Sequence, residues 1–145
     1  MRLGHQRGPR SLAPHYELER APSVRPATVT LAAGADVLAV LVFTAIGRSL
    51  HGEVVDAFEL LTTASPFLLG LVIGWLVGRA WRAPLRLPVG TAVWVSATVV
   101  GLGVRAAFTH RLPLAFVVVV TLGLALLLLG WRVLARSIVR RRSRT

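Results

Sequence analysis

Asp36 stands in the middle of the apolar run LAAGADVLAVLV, residues 31–42, and it is the one acid inside such a run. A carboxylate placed there can carry a proton, meet a cation, or fix how one helix sits on another through a buried hydrogen bond. Cations that could answer it flank the apolar runs: Arg48 and, three residues on, His51 follow the first run, and Arg105 lies in the last turn of the third. Asp36, Arg48, His51 and Arg105 are therefore the candidate functional polar site. Counted back from Gly47, Asp36 is 11 residues deep, about 16 Å at the helical rise, whereas Arg105 is only about 5 Å deep. A long guanidinium stem closes part of that gap, and Ser96 and Thr98 stand at matching depth on the third run. The expectation is an interior carboxylate whose nearest polar partners are on the third run, with Arg105 a candidate among them. The plainer alternative has Arg48 and Arg105 snorkelling to lipid headgroups.

Other chemistries lack parts. His51, Glu53, Asp56, Glu59 and His110 collect in two connections, but their spacing matches no HExxH-type helix motif, so no metal is expected. With no cysteine there is no thiol nucleophile, disulfide or Cys-ligated metal. There is no Gly-rich phosphate loop and no nucleophile with a base, and an aspartate pair would need a second intramembrane acid. The chain reads as a non-enzyme without a cofactor.

These side chains must be positioned by membrane-spanning helices. Of the 145 residues, 54% are hydrophobic and only 16% charged, where a soluble domain carries about 25% charge; the mean hydropathy is +0.67. A hydrocarbon core about 30 Å thick needs roughly 20 apolar residues. Four runs qualify, over about residues 27–47, 60–81, 89–108 and 113–134. Pro88 and Pro113 open the third and fourth, where a missing N–H costs nothing. Strands of a membrane barrel would be shorter and alternate, which Phe116–Val120 does not. The prediction is an all-α polytopic membrane protein, a four-helix bundle.

Arginine sets its orientation. All 17 basic residues are Arg; Lys and Asn are absent, which suggests a GC-rich prokaryotic genome. Fourteen Arg fall in the N-terminal tail, the second connection and the C-terminal flank, and only Arg48, Arg105 and Arg111 fall on the other side. By the positive-inside rule both termini are cytoplasmic. Residues 1–26 form a basic tail without apolar periodicity, expected to be disordered; 27–135 are the membrane domain; 136–145 are a second basic tail. The 26-residue polar lead and Asp36 argue against a cleaved signal peptide. The tails should meet anionic lipid headgroups, not nucleic acid, and the location is the cell membrane.

Packing signals are concentrated in the second run. Pro66, Gly70, Gly74 and Gly78 recur every four residues and form one small-residue stripe; Ala97 and Gly101 repeat the spacing in the third run. Such stripes let helix backbones approach closely in lipid, first within the chain and then with a second copy or another membrane protein. Trp81 and Trp131 read as interfacial anchors, Trp75 and Trp94 as packing residues. In the first connection Val54, Val55, Phe58 and Leu61 lie at helical spacing. Residues 53–64 are either a short interfacial helix ending at a Ser65 N-cap or the start of one continuous helix through Pro66. An Asp at a helix centre costs about 2.5–3.5 kcal/mol on insertion, and nine strongly apolar neighbours return about 0.3–0.6 kcal/mol each. Asp36 must therefore face the interior or water.

The segments GRSLH (Gly47–His51, after Asp36), SPFLLG (Ser65–Gly70), VVGLGVR (Val99–Arg105), AFVVVVTL (Ala115–Leu122) and GWR (Gly130–Arg132), in this order and spacing, resemble the prokaryotic membrane family called domain of unknown function 3054. The resemblance covers about residues 27–134. It implies a four-helix membrane protein, common in actinobacteria and known in halophilic archaea, and supplies no activity or site. Two functions remain open. One is an accessory or structural membrane subunit packing through its Gly-rich faces. The alternative is a small dimeric proton-coupled transporter or channel using Asp36.

Overall fold

In a computed structural model of the chain, residues 24–53 and 56–142 are described. Four helices follow in order: α1 Pro26–Leu50, α2 Ala57–Val77, α3 Leu87–Thr109 and α4 Leu114–Arg142, with a single 3₁₀ turn, Ala80–Arg82, between α2 and α3. All four are long and apolar enough to cross a membrane. The described residues contain no strand. The N-terminal tail up to residue 23 and residues 143–145 lie outside the described residues, as do Val54 and Val55 of the candidate interfacial helix.

The local reasons are legible residue by residue. In lipid polar groups need internal partners, and several helical hydroxyls find theirs one turn back, although the buried Thr98 hydroxyl has none. Thr44 donates to the Val40 carbonyl at 2.9 Å and Thr121 to the Val117 carbonyl at 2.7 Å. Helix α2 begins at an Asp56 N-cap, whose carboxylate accepts from the Phe58 N–H at 3.1 Å. It then runs without interruption through Pro66. Of the two readings of residues 53–64, the continuous helix holds, and Ser65 is not an N-cap. Pro66 has no N–H for the Thr62 carbonyl; the Ser65 hydroxyl donates to that oxygen instead, at 2.8 Å. This local substitution lets a proline sit within a spanning helix.

Helix boundaries differ from the expected spans at two places. Helix α2 stops at Val77, not residue 81, because Arg79 adopts the left-handed conformation (φ 47°) and the chain folds into the 3₁₀ turn. Ala80 and Pro84 of this connection are buried, so it tucks into the end of the bundle. Helix α4 continues to Arg142 and takes in much of the expected tail over 136–145.

Helices α2 and α3 form the closest pair. A Cβ on Gly70 would lie 2.7 Å from the Ser96 carbonyl oxygen and 2.8 Å from Ala97 Cα, and one on Gly74 would lie 2.7 Å from Val93 Cα. The stripe is thus pressed onto the backbone of α3 in the same chain, with Gly78 reaching Ala92 at its end. Ala97 is fully buried there, and Pro66 is partly buried. A second brace crosses all four helices. The Phe67 ring of α2 lies where a Cβ on Gly101 of α3 would be, meets Phe43 of α1 edge-on with centroids 6.3 Å apart, and Phe43 covers Gly123 of α4.

Candidate functional site

Asp36 reaches the interior from α1 and is fully buried. Each carboxylate oxygen accepts two hydrogen bonds. Oδ1 takes the Trp131 indole N–H at 2.8 Å and Arg132 Nη1 at 2.6 Å; Oδ2 takes the Trp75 indole N–H at 2.8 Å and Arg132 Nη2 at 2.6 Å. The pair is a bidentate salt bridge with neither side chain exposed. Planar guanidinium and planar carboxylate match in this fork, which is stronger than a point contact.

Arg132 makes two further hydrogen bonds. Its Nε donates to the Pro84 carbonyl at 3.1 Å, and Nη1 also donates to the Leu128 carbonyl one turn back at 2.8 Å. Its guanidinium carbon lies 4.7 Å from the centre of the neighbouring Trp131 ring. Helix α3 contributes by omission: a Cβ on Gly90 would lie 2.6 Å from Arg132 Cδ, so only glycine leaves room for the stem. The node therefore draws on α1 (Asp36), α2 (Trp75), α3 (Gly90), α4 (Trp131, Arg132) and the tucked connection (Pro84). An ion pair in a dry interior is favoured only when further hydrogen bonds satisfy its remaining lone pairs and protons; here the carboxylate accepts four and four of the five guanidinium N–H groups donate.

The arrangement corrects the expected partners of Asp36. They lie on α2 and α4, not on the third span. Arg105 is not one of them: its guanidinium carbon sits 4.7 Å from the centre of the Phe116 ring, at the other end of the bundle. Thr98 is buried but does not hydrogen-bond Asp36, and Ser96 faces the Gly74 position of α2. Trp131 is an interior donor, not an interfacial anchor. Trp75 packs and also donates, and Trp94 donates to the Thr121 carbonyl at 3.0 Å, tying α3 to α4. Arg132 is one of the fourteen arginines that the charge count places on the cytoplasmic side, where the end of a span ordinarily meets headgroups; it is instead fully buried.

The other three candidates come together without Asp36. Arg48, His51 and Arg105 line one groove at the end where α1 and α3 finish and α4 begins. Arg48 forms ion pairs with Glu53 at 3.0 Å and with Glu59, and donates to Thr63 Oγ1 at 3.1 Å. It thereby staples the end of α1 to the start of α2. His51 Nδ1 donates to the Gly47 carbonyl at 2.7 Å and so turns back on its own helix. Among the described residues no three His, Asp or Glu side chains converge as a metal site would require. Glu53 and Glu59 are directed to Arg48, and Asp56 caps α2.

What this geometry can do chemically follows from its partners. The Asp36–Arg132 node has every oxygen occupied and no side open to water. The groove end carries cationic side chains above apolar walls. A family described as protein of unknown function (DUF3054) matches residues 33–135, which hold Asp36, Trp75, Trp131 and Arg132 as well as the groove. No curated protein and no solved structure matches the chain.

Proposed function

The chain belongs to the DUF3054 family of proteins of unknown function, a membership that brings no inherited activity, and on that footing we propose that it is an accessory or structural subunit of the cell membrane, not an enzyme. One observation carries this reading: Asp36, the one acid in the middle of a span, is held by four donors at zero exposure. A carboxylate that carries a proton or a substrate must exchange partners during its cycle. This one is committed to tying α1 to α2 and α4.

The outward faces fit a subunit. Val118, Leu122, Leu126 and Val133 of α4 are each about half exposed or more and apolar. Gly70 and Gly74 are consumed inside the chain, so contact with other membrane proteins falls to outward positions such as Gly103 and Ala107 of α3, both exposed and four residues apart. Both termini are assigned to the cytoplasm. With Arg132 withdrawn into the interior, thirteen Arg still stand against three. The exposed ones, such as Arg82, Arg86 and Arg141, stand where they can meet anionic headgroups.

Purification in mild detergent, with mass measurement and identification of co-purifying proteins, tests the proposal. A stoichiometric membrane-protein partner is expected. A clean homodimer without partners, moving protons in vesicles in a manner abolished by Asp36→Asn, would replace it with the transporter reading.

A further inference from the structure

At the end of the bundle opposite the buried ion pair, a groove of about 600 Å³ runs between α1 and α4, a volume within the range of about 300–1,000 Å³ that small ligands occupy. Its walls are apolar: Phe43 and Ile46 of α1, Phe67 of α2, and Val119, Leu126 and Leu127 of α4. The rim residues Ile46, Val119 and Leu126 are 53%, 60% and 74% exposed. They belong to spanning helices, so the groove opens sideways towards hydrocarbon. Arg105 stands at its polar end with Arg48, His51 and Glu53.

We propose that this groove binds one anionic lipid, with the headgroup phosphate on Arg105 and an acyl chain along Phe43, Val119 and Leu126. Arg132, Arg48 and Arg105 differ in what their guanidinium groups meet. Arg132 has a carboxylate and two carbonyls, and Arg48 has Glu53 and Glu59. Arg105 has the face of Phe116 and, among the described residues, no carboxylate. An aromatic face balances part of a cation's charge but accepts none of its in-plane N–H donors. A phosphate oxygen at the groove end supplies those acceptors in the bidentate geometry that guanidinium favours. Beyond Arg105 a second hollow is lined by Arg111 and His51, so the headgroup meets a second guanidinium. Glu53 also lines the groove, but its carboxylate is paired with Arg48; the cations of Arg105 and Arg111 therefore favour an anionic over a zwitterionic lipid. The proposal stands independently of the accessory-subunit reading.

Native mass spectrometry of the full-length protein in mild detergent, with added phosphatidylglycerol or chain-matched phosphatidylcholine, tests it. One phosphatidylglycerol per chain should be retained at least about tenfold more strongly than phosphatidylcholine. Arg105→Gln should abolish the preference, while Arg82→Gln, at the other end of the bundle, should leave it intact. Val119→Trp, an exposed position whose variant folds regardless of Arg105, should fill the groove and lower retention with Arg105 still present. Equal retention of the two lipids, an unchanged preference in Arg105→Gln, or no effect of Val119→Trp would each overturn the proposal. So would displacement of the lipid by millimolar inorganic phosphate, which would mark a free-anion site, or a stoichiometric protein helix in the groove.

Discussion

The carboxylate of Asp36 and the guanidinium of Arg132, 96 residues apart in the chain, face each other through two hydrogen bonds of 2.6 Å with no solvent contact. The pair joins the first helix to the last and closes the bundle.

Removing one member should therefore be far worse than removing both. Arg132→Met leaves a buried carboxylate and should cost about 3–5 kcal/mol, whereas the double variant Asp36→Leu/Arg132→Met should cost clearly less, its remaining cost being the two indole N–H groups left without an acceptor. Unfolding in detergent of the wild type, Arg132→Met, Asp36→Leu and the double variant measures the four corners of the cycle. Asp36→Asn and Arg105→Gln, by contrast, should add independently to within about 0.5 kcal/mol. Strong coupling between them would show that Arg105 reaches the carboxylate.

The indole donors make a second, separable prediction. Trp75→Phe and Trp131→Phe each remove one N–H from a charged acceptor and should each cost about 1.5–3 kcal/mol. Trp81→Phe, at a position 43% exposed, should cost little. The emission of Trp75 and Trp131 should be that of a dry environment, and the variants show which signals belong to them.

Close packing of α2 on α3 is tested at Gly74. Gly74→Leu places a side chain where even a Cβ would lie 2.7 Å from the α3 backbone, and should cost at least about 1–3 kcal/mol through overpacking. Val72→Leu, at a position 54% exposed, should be nearly silent. Equal thermal stability of the two would place the stripe against lipid.

The Ser65–Pro66 step predicts a conditional effect. Ser65→Ala strips the partner from the Thr62 carbonyl and should cost about 1 kcal/mol. In a Pro66→Ala background the restored N–H takes that carbonyl, and the same Ser65→Ala change should then cost close to nothing. A helix content and stability series across the four variants reads this directly.

Orientation is checked by impermeant thiol labelling of intact cells. A single cysteine at Glu53 should be labelled and one at Arg141 protected. The reverse pattern would invert the assignment of both termini.

Four spans, an all-helical membrane domain and an interior Asp36 are legible in the residues themselves. Long apolar runs admit only helices in lipid, because backbone polar groups must be satisfied within the segment. The insertion cost of a lone carboxylate forces it inward whatever its partner. The α2 stripe is equally local, since a four-residue repeat puts Gly70, Gly74 and Gly78 on one face before any neighbour is known. The Thr62–Ser65–Pro66 exchange needs only adjacent residues, although choosing between a broken and a continuous helix requires seeing that hydroxyl in place.

The partner of Asp36 is decided only by the tertiary structure. Measured from Gly47, Asp36 looks closest to the cations at that end; measured from the other end of α1 it is 10 residues beyond Pro26, and Arg132 is likewise 10 residues before Arg142. Whether those two depths coincide depends on how far α4 slides along α1, and no periodicity within either helix encodes that offset. It is set by contacts between elements. Pro84 tucks under the bundle end and accepts from Arg132, Gly90 leaves room for the arginine stem, and two indoles complete the carboxylate. An arginine in the last turn of a span ordinarily reads as a headgroup contact. Here the desolvation of Arg132 is offset by acceptors from α1, from its own helix and from the second connection, which only the folded chain brings within reach.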